Sequence, residues 1–211
     1  ECKYGNGDVR LIVLGDSHAA AMIRSTEKTL PHNSSVLDWT YSGCPTVESI
    51  KKVNSPNFQC GVVISNFLEK LHAYPNTPIL VINRLNVLFH GAPDGDRDLS
   101  KPIRYINTPM SSYNNEYYNT MKQAYVSTLC KLSKNNPVFV TRPTPEFPKS
   151  VPKTLAHKAI INSETRMSIS KADYMQRSKL AYEAQDEAAE KCGVKILETK
   201  EISTWDTKEM M

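Results

Sequence analysis

The segment Ile12-Val13-Leu14-Gly15-Asp16-Ser17-His18-Ala19-Ala20-Ala21 is where residue types and spacing point most directly to chemistry. An apolar run of strand length ends at a glycine that permits a tight turn, and a helical stretch of small residues follows. Ser17 falls at the start of that helix, where unpaired N–H groups and the helix dipole favour a developing negative charge. A serine so placed can attack a carbonyl carbon while its own N–H helps to hold the oxyanion. Ser and Asp also cap helices, and a capping role for Asp16 or Ser17 accounts for the same pattern. On these residues alone the two readings stand level.

The rest of the chain supplies a frame for that turn. Apolar runs recur at Val9 to Leu14, Ser35 to Trp39, Ile79 to Asn83, Val138 to Thr141 and Val194 to Leu197. Helical spacing fills the intervals at Ala19 to Leu30, Gly61 to Tyr74, Glu116 to Ser133 and Lys171 to Cys192. Such alternation predicts an α/β fold: a flavodoxin-like three-layer sandwich with a parallel sheet of about five strands and helices on both faces. Ligands of such sheets bind beyond the carboxyl ends of the strands. This directs attention to Gly15 to His18, Tyr41 to Cys44, Arg84 to Asn86 and Arg142 to Phe147. The proline-bearing segments His90 to Asn115 and Pro143 to Ser170 read as ordered loops rimming the site.

Composition narrows the function classes. The 211 residues fit one domain, residues 1–211, and 40% hydrophobic content suffices for its own core. The formal charge of +4 is dispersed, with no basic stripe interleaved with aromatics, so nucleic acid is not an expected partner. Five cysteines occur without a CxxC pair or zinc spacing, which disfavours a metal site. Cys44 and Cys60 bracket a short Pro/Asn/Ser-rich loop, and a disulfide closing it would add about 3 kcal/mol and imply an oxidising compartment. The competing reading is separate buried thiols in a reducing one. No run nears the roughly 20 apolar residues of a membrane span. A start at Glu1 without methionine predicts a chain cut from a longer precursor.

Gly15-Asp16-Ser17-His18 followed by small residues resembles the first block of the SGNH (GDSL-type) hydrolases. It is particularly similar to the periplasmic domains fused to bacterial membrane acyltransferases that decorate surface polysaccharides. Tyr41-Ser42-Gly43-Cys44-Pro45 resembles the second block, and Pro143-Thr144-Pro145-Glu146-Phe147-Pro148 a proline-rich stretch after the fourth strand. Ser170 and Tyr174 through Cys192-Gly193-Val194-Lys195-Ile196-Leu197 are similar to the last helix and strand, so the likeness spans nearly the whole chain. It implies Ser17 as nucleophile, Asp16 as support of the turn, and Gly43 as an oxyanion-hole N–H. The third block departs from the pattern: Ile82-Asn83-Arg84-Leu85-Asn86 has no GxND, which leaves the remaining donor to Asn83 or Arg84.

The resemblance further implies O-acyl transfer, acetyl above all, from an acyl donor to a polysaccharide such as lipopolysaccharide O-antigen. It implies no cofactor, an attached membrane acyltransferase domain, and a periplasmic site tethered to the inner membrane. An acetylesterase using the same serine and a non-catalytic glycan-binding domain are the rival expectations. The family's base and orienting carboxylate lie in a C-terminal DxxH, whereas Trp205-Asp206-Thr207-Lys208-Glu209 holds no histidine. His18 is expected to point away from the serine oxygen, and His32, His72, His90 and His157 to be surface or structural. An unmatched fifth cysteine, left after Cys44 with Cys60 and Cys130 with Cys192, and the missing DxxH together predict a further C-terminal segment.

Overall fold

The computed structural model describes residues 2–93, 101–161 and 166–198. Its first half runs β1 (Cys2–Gly5), β2 (Asp8–Gly15), α1 (Ser17–Thr29), β3 (Ser34–Thr40), β4 (Lys51–Lys52), α2 (Cys60–Lys70), a 3-10 turn (Leu71–Ala73) and β5 (Ile79–Ile82). Then follow α3 (Asn86–His90), β6 (Arg104–Tyr105), α4 (Asn115–Leu132), β7 (Val138–Thr141), α5 (Val151–Ile160), α6 (Lys171–Cys192) and β8 (Lys195–Leu197). The main sheet has six strands in the order β1-β3-β2-β5-β7-β8. β3, β2, β5, β7 and β8 are mutually parallel, as the alternating pattern predicts, and β1 adds an antiparallel edge.

β1 was not foreseen, for a physical reason. Cys2 to Gly5 carries no apolar run and is held by its backbone ladder to β3, Cys2 opposite Asp38 and Gly5 opposite Ser35. β2 is the opposite case: Ile12, Val13 and Leu14 are all at most 1% exposed, because a central parallel strand is covered on both faces. One face buries Val13 and Val36 against Ala19 and Ile23 of α1. The other buries Ile12, Leu14, Leu37, Trp39, Val81 and Val140 under α2, α4 and α6.

Two registers fix the site. Gly15 pairs with Thr40 on one side and Ile82 on the other, so β2, β3 and β5 end at one level. Because β3 and β5 flank β2 on opposite sides, that level is the topological switch point of the sheet. The long segments expected as loops contain more structure than the sequence suggests. β4 and β6 pair antiparallel, Lys52 opposite Arg104, and so fasten the first segment to the loop after β3. α5 lies within the second, with none of its residues buried. Residues 94–100 and 162–165 of those segments fall outside the described residues.

Candidate active site

Three strand ends converge on Ser17, the first residue of α1. Gly15 makes this approach with φ 149°, and a Cβ there would stand 1.9 Å from the Ile82 carbonyl oxygen. Asp16, 5% exposed, caps the helix: its Oδ1 accepts the His18 N–H at 2.8 Å. Its Oδ2 accepts the Arg84 N–H at 2.7 Å, so one carboxylate ties the serine turn to the end of β5. Asp16 thus caps α1 and links the serine turn to the end of β5.

The second loop is held equally closely. Tyr41 donates its N–H to the Gly15 carbonyl at 2.9 Å, and Cys44 N–H closes the turn onto Tyr41 O at 3.0 Å. Gly43 occupies the third position of that turn at φ 70°, a conformation glycine adopts at little cost. The Cys44–Cys60 disulfide then fastens the loop to the start of α2, as the short loop predicted. Cys130–Cys192 joins α4 to α6, and Cys2 is free and exposed.

Asn83 and Arg84, the alternatives for the third donor, have separate surroundings. The Asn83 amide faces the second loop: its Oδ1 accepts the Thr46 N–H at 3.3 Å and its Nδ2 donates to Cys44 O at 3.4 Å. Arg84 lines the cleft, and its Nε donates to Glu146 Oε1 at 2.5 Å. Glu146, from the proline-rich stretch after β7, also accepts from Arg177 Nε of α6, whose Nη2 donates to Gly91 O at 2.7 Å. Arg104, carried by β6, reaches the same place and donates to Gly43 O at 3.3 Å and Val87 O at 3.2 Å.

Together these residues wall a cleft of about 200 Å³ that holds Asp16, Ser17, His18, Gly43, Arg84 and Arg104, with Val87, Leu88 and Pro45 as its apolar part. Larger hollows of about 520 and 430 Å³ lie elsewhere, around Asn76, Lys134 and Asn135. The smaller cleft is the chemical candidate, because the ends of β2, β3 and β5 all open into it. Among the described residues no group of His, Cys, Asp and Glu could hold a metal ion, and no helix is long and apolar enough to cross a membrane.

His18 is among the residues lining the cleft, and its Nδ1 lies 3.2 Å from Asp16 Oδ1. This contact raises the His18 pKa above its usual 6.5, although burial works against it. His90, at the end of α3, is shifted the opposite way by burial and by the Arg177 charge. His32, His72 and His157 are exposed. Arg104 and Arg177 escaped the sequence reading, and Glu146 lay inside the Arg142 to Phe147 segment it pointed to without a role of its own. Trp205 to Glu209, on which the question of a DxxH turns, lie outside the described residues.

A mostly parallel sheet with Ser17 opening a helix at its switch point defines an α/β domain whose cleft lies at the strand ends. A model of the SGNH domain fused to AT3 domains matches residues 1–209, and the chain belongs to that family. Among solved structures it is similar to the periplasmic domain of the Salmonella ser. Paratyphi A lipopolysaccharide acetyltransferase, with TM-score 0.60 and 12% identity. The alignment covers 92% of this chain and 67% of that one. No curated protein sequence matches the chain significantly.

Proposed function

We propose that this domain performs serine-dependent O-acyl transfer to a polysaccharide, with Ser17 as nucleophile. Ser17 Oγ attacks the carbonyl of an acyl donor, the donor's leaving group departs with the serine proton, and the resulting ester passes its acyl group to a sugar hydroxyl, whose proton returns to Ser17 Oγ. The N–H groups of Ser17 and Gly43 receive the oxyanion, and Asp16 keeps the turn in place through His18 N and Arg84 N. The observation that carries this reading is Ser17 at the first turn of α1, facing the Gly43 turn across one cleft. Of the two third-donor alternatives, Arg84 is favoured, because it lines the cleft with Ser17 and Gly43, whereas the Asn83 amide faces the second loop.

Fusion of the family to AT3 domains supports an attached membrane acyltransferase that delivers the acyl group. The likeness to a lipopolysaccharide acetyltransferase periplasmic domain supports acetyl as the group and a surface glycan as the acceptor. Two disulfides favour the periplasm over a reducing compartment. An esterase would use the same residues with water as acceptor, and a glycan-binding domain would need no nucleophile. Ser17→Ala in the full-length protein is expected to abolish transfer while shifting stability by less than about 1 kcal/mol, since Asp16 supplies the cap. Undiminished transfer by folded Ser17→Ala protein would sink the assignment.

A further inference from the structure

Arg84 is held at both ends by acids from different parts of the fold. Its N–H donates to Asp16 Oδ2 at 2.7 Å, and its Nε to Glu146 Oε1 at 2.5 Å. Asp16 caps the helix that opens with Ser17, whereas Glu146 arrives from the loop after β7, 62 residues beyond Arg84. The Glu146 side chain is 4% exposed, and its second oxygen accepts from Arg177 Nε of α6. Arg177 is anchored in turn, since its Nη2 donates to Gly91 O just past α3.

A buried carboxylate between two guanidiniums is a poor way to stabilise a fold. Desolvation of the charges offsets much of their attraction, and well-packed apolar side chains of similar volume often serve as well or better. What the triad does supply is direction. A guanidinium is planar, so a carboxylate on its Nε fixes the plane of the whole group. With its backbone and Nε both tied, Arg84 keeps one orientation in the cleft wall that it shares with Ser17 and Gly43. Positive charge is kept as well, because one carboxylate faces two guanidiniums.

We infer that Glu146 is a positioning residue, which holds the Arg84 guanidinium, with Arg177 as a fixed stop behind it, in the orientation that stabilises the oxyanion on the acyl carbon. The inference rests on Arg84 as third donor to an acyl group carried by Ser17. A donor fixed before the reaction needs no reorganisation as negative charge develops, so loosening it reduces turnover more than it reduces substrate binding. Glu146 is not among the residues lining the cleft, and it acts on the reaction through Arg84. Its effect on turnover therefore exists only while Arg84 is present.

Full-length wild type, Glu146→Gln, Arg84→Ala and the double variant are compared on 4-nitrophenyl acetate, below the melting temperature of each as read by circular dichroism. Hydrolysis gives kcat and KM, and mass spectrometry follows acetyl on Ser17. Arg84→Ala should lower kcat about 10²–10³-fold, the loss that accompanies removal of one oxyanion donor. Glu146→Gln should lower kcat roughly tenfold or more with KM within about twofold, yet less than about twofold when residue 84 is already alanine. Glu146→Asp keeps the charge and should retain more of kcat, and it carries the same comparison should Glu146→Gln fail to fold. Equal losses from Glu146→Gln in both backgrounds, or a kcat within about threefold of wild type, overturn the positioning role. Arg84→Ala protein as fast as wild type overturns Arg84 as donor, and this inference with it, while Ser17 stands. A wild type that takes no acetyl on Ser17 overturns the nucleophile and the inference together.

Discussion

Glu146→Gln probes the contact that joins three elements behind the site. The Glu146 side chain is 4% exposed and lies between Arg84 Nε and Arg177 Nε, each at 2.5 Å. Glutamine has nearly the same shape, but it is neutral and can accept from one arginine only. Removing one partner of a buried pair costs about 3–5 kcal/mol. The arginine side chains retain 26% and 21% exposure, so water relieves part of that cost. About 2–3 kcal/mol remains after this discount. For a domain of this size each kcal/mol moves the melting temperature by about 2–4 °C, so the drop should be about 4–12 °C. Thermal denaturation followed by circular dichroism at neutral pH measures it. The drop should change little between about 0.05 and 0.5 M salt, because buried charges are weakly screened. A shift below about 1 °C would refute the reasoning, since it would mean the carboxylate contributes no net stability to the two arginines.

Other perturbations test the frame of the cleft. Gly15→Ala should cost more than about 3 kcal/mol, because its Cβ would meet Ile82 O at 1.9 Å and only separation of β2 from β5 relieves it; a near-native urea midpoint would contradict this. Replacing both cysteines of the 16-residue span Cys44–Cys60 should cost about 3 kcal/mol, and of the 62-residue span Cys130–Cys192 about 4 kcal/mol, in urea titrations. His90, whose pKa is held below 6.5 by burial and Arg177, contributes stability that is full above 6.5 and lost as pH falls through its folded value. His90→Gln should therefore flatten part of the stability loss on acidification, and an unchanged pH profile would count against that placement. His18 has the opposite sign: its stabilisation is full below 6.5 and lost as pH rises through its raised pKa, so His18→Asn should lose more stability in acid than in base.

The sequence by itself determined the architecture and marked the strand-to-helix turn that carries Ser17. Five apolar runs separated by helical spacing specify a parallel sheet because burial on both faces demands unbroken hydrophobic strands, and Val138–Thr141 and Lys171–Cys192 lie where that pattern puts them. Gly15-Asp16-Ser17 was legible because a strand-to-helix turn restricts its residue types locally. The Cys44–Cys60 pairing was legible for a similar reason, its loop being short. What depended on distant segments was not legible. β1 is held by backbone pairing that leaves no hydrophobic pattern, and Arg104 reaches Gly43 only because β6 pairs with β4. Glu146 meets Arg84 and Arg177 across separations of 62 and 31 residues, and no local rule encodes such meetings. Tertiary structure also placed Arg84 and His18, and not Asn83, among the residues lining the cleft. Side-chain direction at a helix start is set by what the neighbouring carboxylate accepts, and Asp16 accepts from His18 and from the end of β5 at once.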